Sequence, residues 1–257
     1  MENEKTMKKI DLNCDMGESY GAWKMGADAG VMPYISSANI ACGFHAGDPA
    51  TIRETVRLAV DCGVAVGAHP SLPDLMGFGR RVMRISPRDM YDLIIYQAGA
   101  VEAFARVAGT KLHHVKCHGA LYNMAAVDEG LSEAMVRAVK DLGSGTMLYA
   151  LSKSKSYEIG KKSDLQTVGE VFADRGYADD GTLAPRDKPG GLIEDPAASV
   201  RQVLGMIEEG YVTSLSGKRV PVAADTLCLH GDQPGAVIFA QALRKVFTEK
   251  GITVAAP

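Results

Sequence analysis

The sequence lacks the features that mark several large classes of protein. It has five cysteines in 257 residues, an odd number without a Cys-x-x-Cys pair. This argues against a disulfide framework or a structural zinc site, and for a reducing cytoplasm. No apolar stretch approaches the roughly 20 residues that a membrane span needs. The net charge of −3 gives no electrostatic reason to expect binding to nucleic acid or to an anionic membrane. Residues 1–7 form a polar tail without the apolar core of a signal peptide, so a cytoplasmic location is expected.

Two common nucleotide-binding motifs are also missing. The sequence has no G-x-G-x-x-G and no G-x-x-x-x-G-K-[ST], so it does not favour either of the two commonest nucleotide-binding folds with a parallel sheet. The hydrophobic content of 46% and the charged content of 23% are ordinary for a globular protein. Because α/β barrels commonly reach about 200–250 residues as one unit, a single domain over residues 1–257 is expected.

The chain alternates between strand-like and helix-like segments. Strands are predicted at residues 9–15, 36–42, 64–69, 112–118, 146–151, 166–172 and 225–230. Helices are predicted to begin at Asp48-Pro49, Ser86-Pro87 and Asp195-Pro196, where a capping residue precedes proline, and another is predicted over 234–249. Strands separated by helices pair in parallel through right-handed crossovers, so about seven of them predict a complete or distorted (β/α) barrel. The irregular segment 174–194 is expected to be functional or mobile, as long loops usually are.

Four of the six histidines stand at the ends of short apolar runs, each just before a helix signal. They are His45, His69, His118 and His230. Side chains at the carboxyl ends of parallel strands converge on one site in barrels and open sheets. A lone histidine is more often a satisfied core residue, but four at equivalent strand ends predict an active site.

Polar residues alternate along the first and the fourth predicted strands. Residues two apart in a strand share a face. One face carries Asp11, Asn13 and Asp15 in the first strand and His114, Lys116 and His118 in the fourth; Leu12, Cys14 and His113 face the other way. A solvated edge strand would show the same alternation. A buried lysine must be paired, so a carboxylate across the barrel, Asp15 or Glu170, is the expected partner of Lys116.

Three further features lie near these strand ends. Arg80 and Arg81 occupy a glycine-flanked loop and suit a forked contact with a carboxylate or phosphate, although a surface loop with solvated arginines looks the same. Asp232 is either a helix cap or the group that orients His230. Cys228 shares a face with His230, whereas the other cysteines are interpreted as small buried hydrophobic residues.

Carboxylates, histidines and one buried lysine suit the hydrolysis of a C–N or C–O bond. Such groups activate water directly, or they bind a divalent metal that does so. The residues leave both routes open.

Long motifs of the chain closely resemble the LamB/YcsF family. They are DLNCDMGES (11–19), SANIACGFHAGD (37–48), GAHPS (67–71), GFGRR (77–81), KCHGALYN (116–123), EVFADR (170–175) and LHGD (229–232). The resemblance runs in order from about residue 8 to the C-terminus. The chain departs from the family pattern at Cys117, where proline is expected, on the side of the strand that faces the helices.

The resemblance implies a distorted seven-stranded barrel like those of the glycoside hydrolase/deacetylase superfamily. It implies the A subunit of a prokaryotic 5-oxoprolinase, which acts with subunits B and C to open 5-oxo-L-proline to L-glutamate at the expense of ATP, with Mg²⁺ as the expected counter-ion. The predicted catalytic residues are Asp15, His45, His69, Lys116, His118, Glu170, Asp174 and His230. The predicted substrate- or phosphate-binding residues are Asn13, Arg80, Arg175 and Asp232.

Two other interpretations remain open. The first is a metal-dependent deacetylase or amidohydrolase with Asp15, His45 and His69 as metal ligands. The second is a non-catalytic subunit that binds the lactam and hands it to its partners. The sequence also leaves open where ATP binds: without a phosphate loop, the nucleotide could sit on helix N-termini of this chain or on a partner subunit.

Overall fold

A computed structural model describes residues 8–231 and 235–257. The strands are β1 (Lys9–Met16), β2 (Ser37–Ala41), β3 (Ala65–His69), β4 (His114–Val115), β5 (Met147–Leu151), β6 (Thr167–Phe172), β7 (Tyr211–Thr213), β8 (Arg219–Pro221), β9 (Thr226–His230) and β10 (Thr253–Val254). Strands β1 to β6 and β9 pair in parallel, and β9 also pairs with β1. The seven strands therefore close into the predicted barrel.

Helices surround this barrel and follow most of its strands. They are α1 (Asp28–Val31), α2 (Pro49–Asp61), α3 (Pro87–Val107), α4 (Gly119–Val127), α5 (Glu129–Asp141), α6 (Lys155–Lys162), α7 (Pro196–Leu204) and α8 (Ala236–Glu249). The three predicted helix starts are confirmed: Asp48, Ser86 and Asp195 each accept hydrogen bonds from backbone N–H groups of the first turn. In the described part of the chain, no helix is long and apolar enough to cross a membrane.

The structure differs from the sequence prediction in its fourth strand and in several elements that were not predicted, among them the helices α1, α5 and α6. The fourth strand covers only His114–Val115 of the predicted 112–118, although the N–H groups of Lys116 and His118 still donate to the carbonyls of Ala68 (3.0 Å) and Pro70 (2.8 Å). The Lys116 carbonyl instead accepts from the His69 side chain (2.7 Å). The hairpin β7–β8 and the short strand β10, which pairs in parallel with the first two residues of β1, were not predicted. The predicted tail 1–7 and the first residue of the predicted helix 234–249 lie outside the described residues.

Polar side chains fill much of the barrel interior. As predicted, Leu12 and Cys14 lie in the apolar layer between barrel and helices, and Asp11 is buried on the opposite face. The Asp11 carboxylate accepts hydrogen bonds from the hydroxyls of Ser37 (2.8 Å) and Thr226 (2.5 Å). These hydrogen bonds compensate for the burial of the Asp11 side chain at the amino-terminal end of the barrel. Other polar groups occupy the carboxyl ends of the strands.

Replacing Gly67 with alanine is expected to destabilise the fold by about 1–3 kcal/mol, the usual cost of overpacking a core. A Cβ at Gly67 would overlap the ring of His114, which stacks on Tyr149 and donates to Asn39 (2.7 Å), so the ring cannot withdraw. Gly99→Ala is the matched control, because that helical position has open space and should gain stability. Denaturant unfolding of both variants measures the difference, and equal stabilities would contradict this packing.

Candidate active site

A cavity of about 630 Å³ opens at the carboxyl ends of the barrel strands. Its walls include Asp15, His69, Arg80, Lys116, His118, Tyr122, Arg175, Arg186 and His230. Four more predicted site residues stand directly behind this wall: Asn13, His45, Glu170 and Asp174. The structure thus brings together all the predicted site residues that it describes. Asp232 lies outside the described residues.

Lys116 is the centre of the cavity floor. Its ammonium lies 2.7 Å from Oδ1 of Asp15 and 3.1 Å from Oε1 of Glu170, so both expected partners are present. It also lies 3.0 Å from the sulfur of Cys228, on the inner face as predicted. Burial favours the neutral amine, but the charges of Asp15 and Glu170 outweigh it and raise the pKa of Lys116 well above its usual value. The floor therefore keeps one positive charge between two carboxylates.

Hydrogen bonds fix the orientation of both carboxylates. Glu170 accepts from the Asn13 amide (3.0 Å) and from the Tyr122 hydroxyl (2.6 Å). Asp15 accepts from the Asn39 amide (2.9 Å). Each carboxylate is thus held by a neutral donor as well as by the lysine, which keeps the floor rigid.

His230 and Asp174 form an oriented pair at the cavity wall. Nδ1 of His230 lies 2.8 and 2.9 Å from the carboxylate oxygens of Asp174. A carboxylate only accepts, so Nδ1 carries the proton and Nε2 presents a lone pair, which accepts from Arg186 (2.8 Å). Burial raises the pKa of Asp174, but the hydrogen bonds from His230 and the charge of Arg186 lower it below the usual value. Asp174 stays ionised and fixes this tautomer.

A second group, here called the Glu–His cluster, consists of Glu18, His45, His69 and His118. One ligand atom from each lies within 4.8 Å of the others, and all four side chains are buried. The rings of His45 and His118 stack with centroids 3.8 Å apart. The structure therefore groups Glu18 with these three histidines. Asp15 adjoins the cluster, because its Oδ2 lies 3.2 Å from Nε2 of His69, and it also forms a group with Cys228 and His230.

The loop with the sequence GFGRR (77–81) covers the Glu–His cluster. The Phe78 ring packs edge-on against His45 and His118, and its backbone has a φ of 54°, which is strained for a bulky residue. Gly79 also has positive φ, and a Cβ there would meet His45 and His118 at 2.9 Å. Arg81 pairs with Asp74 and holds the loop, whereas Arg80 reaches the cavity. The two arginines therefore have different positions and roles.

Arg175 and Arg186 both belong to the irregular segment after β6, but they are placed differently. Arg175 is buried and donates to the carbonyls of Gly191 (3.1 Å) and Ala184 (2.6 Å), so it organises the segment as well as lining the cavity. Burial and the charge of Arg186 lower the pKa of Arg175 to about 10. Arg186 reaches His230.

Three residues at or near the cavity, Arg186, Glu18 and Tyr122, had no predicted role. Glu18 and Tyr122 stand in the motifs DMGES and KCHGALYN, which were the available signals for them. Residues 17–21 also have the form G-x-S-x-G of a serine nucleophile. Ser19 instead exchanges hydrogen bonds with the backbone of Met25 at 3.0 and 3.3 Å, which gives it a role in its own loop.

Comparison with known proteins shows the family to which this chain belongs. The model of the LamB/YcsF family matches residues 10–257. The chain belongs to the LamB/YcsF family. Relatives include a Bacillus subtilis protein named as the A subunit of 5-oxoprolinase, 54% identical over 250 residues, with 97% of each chain covered. A Bordetella parapertussis protein of the same name is 53% identical over 247 residues, covering 96% of this chain and 98% of its own.

Solved structures agree with this membership. The structure named "Lactam Utilization Protein" from Thermus thermophilus has a TM-score of 0.90 at 48% identity, covering 97% of this chain and all of its own. A family 4 carbohydrate esterase from Streptomyces lividans has a TM-score of 0.52 at 10% identity, covering 97% and 92%. The second likeness concerns the fold alone: this barrel shares its architecture with that esterase.

Proposed function

We propose that this chain is the A subunit of an ATP-dependent 5-oxoprolinase that opens 5-oxo-L-proline to L-glutamate. The observation that carries the proposal is the identity of about half of all residues, over nearly full length, with proteins named for that activity. The buried lysine, carboxylates and histidines of the cavity supply the charge and proton transfers that opening of an amide ring needs. A cytoplasmic location is part of the proposal, since all five cysteines are free thiols.

The chemical problem is the stability of the lactam. Its amide is resonance-stabilised, and its five-membered ring has little strain. Transfer of the γ-phosphoryl group of ATP to the lactam oxygen releases ADP and makes the ring carbon electrophilic. Water then adds, and the C–N bond breaks to leave an acyl phosphate. A second water hydrolyses this acyl phosphate to glutamate and phosphate.

Lys116 is proposed to stabilise negative charge that develops on oxygen during water addition. Its ammonium is held between Asp15 and Glu170 at the cavity floor, so it needs no reorganisation when the charge appears. Arg80 and Arg186 at the cavity wall are proposed to bind the substrate carboxylate or the phosphoryl oxygens.

His230 is proposed to act as the general base. Its Nε2 carries a lone pair at the cavity, and Asp174 on the other side of the ring stabilises the imidazolium that forms when water is deprotonated. The imidazolium can then return the proton to the leaving nitrogen. In the free protein Arg186 donates to the same lone pair, so substrate binding must draw Arg186 away before the base can act.

The phosphorylation step is proposed to need the B and C subunits. The chain has neither of the two common nucleotide-binding motifs, whereas its cavity is rich in acid–base groups. This distribution supports a division of labour in which partners handle ATP and its Mg²⁺, and this chain carries the hydrolytic chemistry.

The isolated chain is therefore expected to form little or no glutamate from 5-oxoproline and ATP, and to gain this activity when B and C subunits are added. Glutamate release, measured with the three subunits singly and in all combinations, tests the proposal. Full turnover by the isolated chain would contradict the division of labour. Activity of B and C that this chain does not increase would contradict its assignment to the complex. If this chain bound the lactam and its Lys116 and His230 variants lost no turnover in the reconstituted enzyme, the chain would be a non-catalytic carrier.

A further inference from the structure

We propose that the loops after β1 and β3 form a docking surface for the partner subunit that phosphorylates the lactam. The loops span residues 17–27 and 70–86, at the end of the barrel where the cavity opens. The surface is here called the rim patch and consists of six exposed apolar side chains: Trp23, Met25, Leu75, Met76, Val82 and Met83. The identity of the partner rests on the proposed function, whereas the exposure of these side chains is a property of the fold.

The rim patch concentrates exposed apolar side chains in a small part of the chain. Among the residues that the structure describes, twelve large apolar side chains are exposed, and six of them belong to the rim patch. Met76 is 91% exposed and Val82 is 76% exposed. Single exposed apolar residues are normal on a monomer, but a group of them bordered by polar residues marks an interaction surface. The rim patch therefore has the composition of an interface.

Hydrogen bonds and ring contacts hold the two loops beside each other. Glu18 of the first loop lies 3.4 Å from Nε2 of His45, and the Phe78 ring of the second loop packs edge-on against the same histidine. The Asp74 carboxylate accepts from the backbone N–H (3.2 Å) and the side chain of Arg81, which closes the second loop on itself. Because these contacts already fix the loops, a partner that binds them has little ordering entropy to overcome.

The exposed charged side chains of the two loops all have the same sign. The acids of these loops, Glu18 and Asp74, are buried. The exposed charged residues are all basic: Lys24, Arg80, Arg81 and Arg84. This positive charge is a local property, because the whole chain has a net charge of −3. An apolar surface with basic residues fits a partner surface that carries apolar and acidic side chains.

The same charges disfavour the pairing of two copies of this chain through the rim patch. Most homodimers have two-fold symmetry, in which a surface meets its own copy. The basic residues of the two loops would then face one another across the interface, and like charges opposed in this way are unfavourable. A different subunit with acidic groups meets no such repulsion, so the charges favour a hetero-complex.

The position of the rim patch suits the transfer of a reactive compound. Arg80 of the second loop lines the cavity, so a subunit docked on this loop lies at the cavity mouth. Attack of bulk water at the phosphorus of an O-phosphorylated lactam would return the lactam and phosphate, and the ATP would be wasted. A partner that covers the cavity mouth keeps bulk water away from the compound. The subunit that transfers the phosphoryl group from ATP to the lactam oxygen is therefore the partner that this surface fits.

Binding of rim-patch variants to purified B and C subunits tests the inference. Met76→Asp and Val82→Asp each place a charge in an apolar contact and should weaken assembly by roughly 10-fold or more, as the loss of a central interface contact does. Arg84→Glu should slow association and reduce its dependence on salt. The matched control is Val107→Asp, because Val107 is 86% exposed at the end of α3, near the start of β4 and so at the opposite end of the barrel. Its affinity for the partners should stay within about twofold of wild type.

Turnover of the reconstituted enzyme gives a second readout. The cavity of the Met76→Asp variant is intact, so its loss of glutamate formation should disappear when the concentrations of B and C are raised above the weakened Kd. A loss that persists at saturating B and C would mean that the substitution acts on catalysis, and it would overturn the docking role.

The remaining outcomes are equally decisive. Assembly of the Met76→Asp/Val82→Asp double variant with unchanged affinity overturns the inference, as does an equal loss in Val107→Asp. A dimer of the isolated wild-type chain that the double variant cannot form assigns the rim patch to a second copy. Binding to phosphatidylserine vesicles that the double variant loses assigns it to a membrane, and either result overturns the inference. A wild-type chain that does not bind B or C contradicts the proposed function and the inference together, whereas the variant results concern the rim patch alone. Denaturant unfolding confirms that each variant is folded.

Discussion

Replacing Lys116 with methionine is expected to lower turnover of the reconstituted enzyme by roughly 10²-fold or more, the scale of a lost electrostatic stabiliser. Methionine keeps the length of the side chain but removes the charge that lies between Asp15 and Glu170. It also leaves two buried carboxylates without their cation, which should cost roughly 3–5 kcal/mol of folding stability. Steady-state glutamate formation and denaturant unfolding measure the two effects separately.

A double variant distinguishes catalysis from stability. Lys116→Met combined with Glu170→Gln removes one of the two unpaired charges, so it should recover part of the lost stability. It should not recover turnover, because no ammonium returns to the cavity floor. If the double variant regained most of the wild-type rate, the lysine would be a structural counter-charge and its proposed catalytic role would be wrong.

Replacing Asp174 with asparagine is expected to reduce turnover by roughly 10³-fold or more, on the scale known for the comparable change in serine protease triads. The introduced amide can donate to Nδ1 of His230, which moves the ring proton to Nε2. An Nε2–H would then face the cavity and the donor Arg186, so the base would lose its lone pair. Since the substrate-binding cations remain, kcat should fall far more than KM rises.

Asp179→Asn is the control for this change. Asp179 lies in the same irregular segment, where its carboxylate accepts from Ser214 (2.5 Å) and Ser216 (2.6 Å) at the surface. It makes the same chemical replacement away from the cavity and should leave kcat within about twofold. Equal losses in the two variants would point to disruption of the segment rather than to the tautomer of His230.

The parts of the fold that depend on local chemistry could be predicted from the sequence. Asp48, Ser86 and Asp195 each start a helix where expected, because a cap and a following proline act within one turn. The fourth strand was predicted too long, since strand alternation does not reveal that the Lys116 carbonyl accepts a tertiary hydrogen bond from the His69 side chain. The two-residue strand β10 is too short to have a hydrophobic period.

The candidate site, too, could be predicted from the sequence only in part. Residues on or beside strand ends, such as His69 and Lys116, could be predicted because parallel strands deliver them to one face of the barrel. Glu18 and Arg186 could not be placed, because their positions depend on how two loops fold back over the cavity. Strand alternation gives no information about such residues, and the spacing in sequence between Glu18 and its histidine neighbours is not informative either.

Closure of the barrel joins the two ends of the chain, and this bears on how the protein is made. Thr226 pairs with Asp11 across β1 and β9, a separation of 215 residues. During synthesis, β1 and β6 remain open edges until β9 has left the ribosome, since β9 lies between them. Contacts between such distant residues slow folding, and exposed strand edges favour aggregation. We therefore expect the nascent chain to benefit from chaperones or from rapid completion of translation more than its modest size suggests.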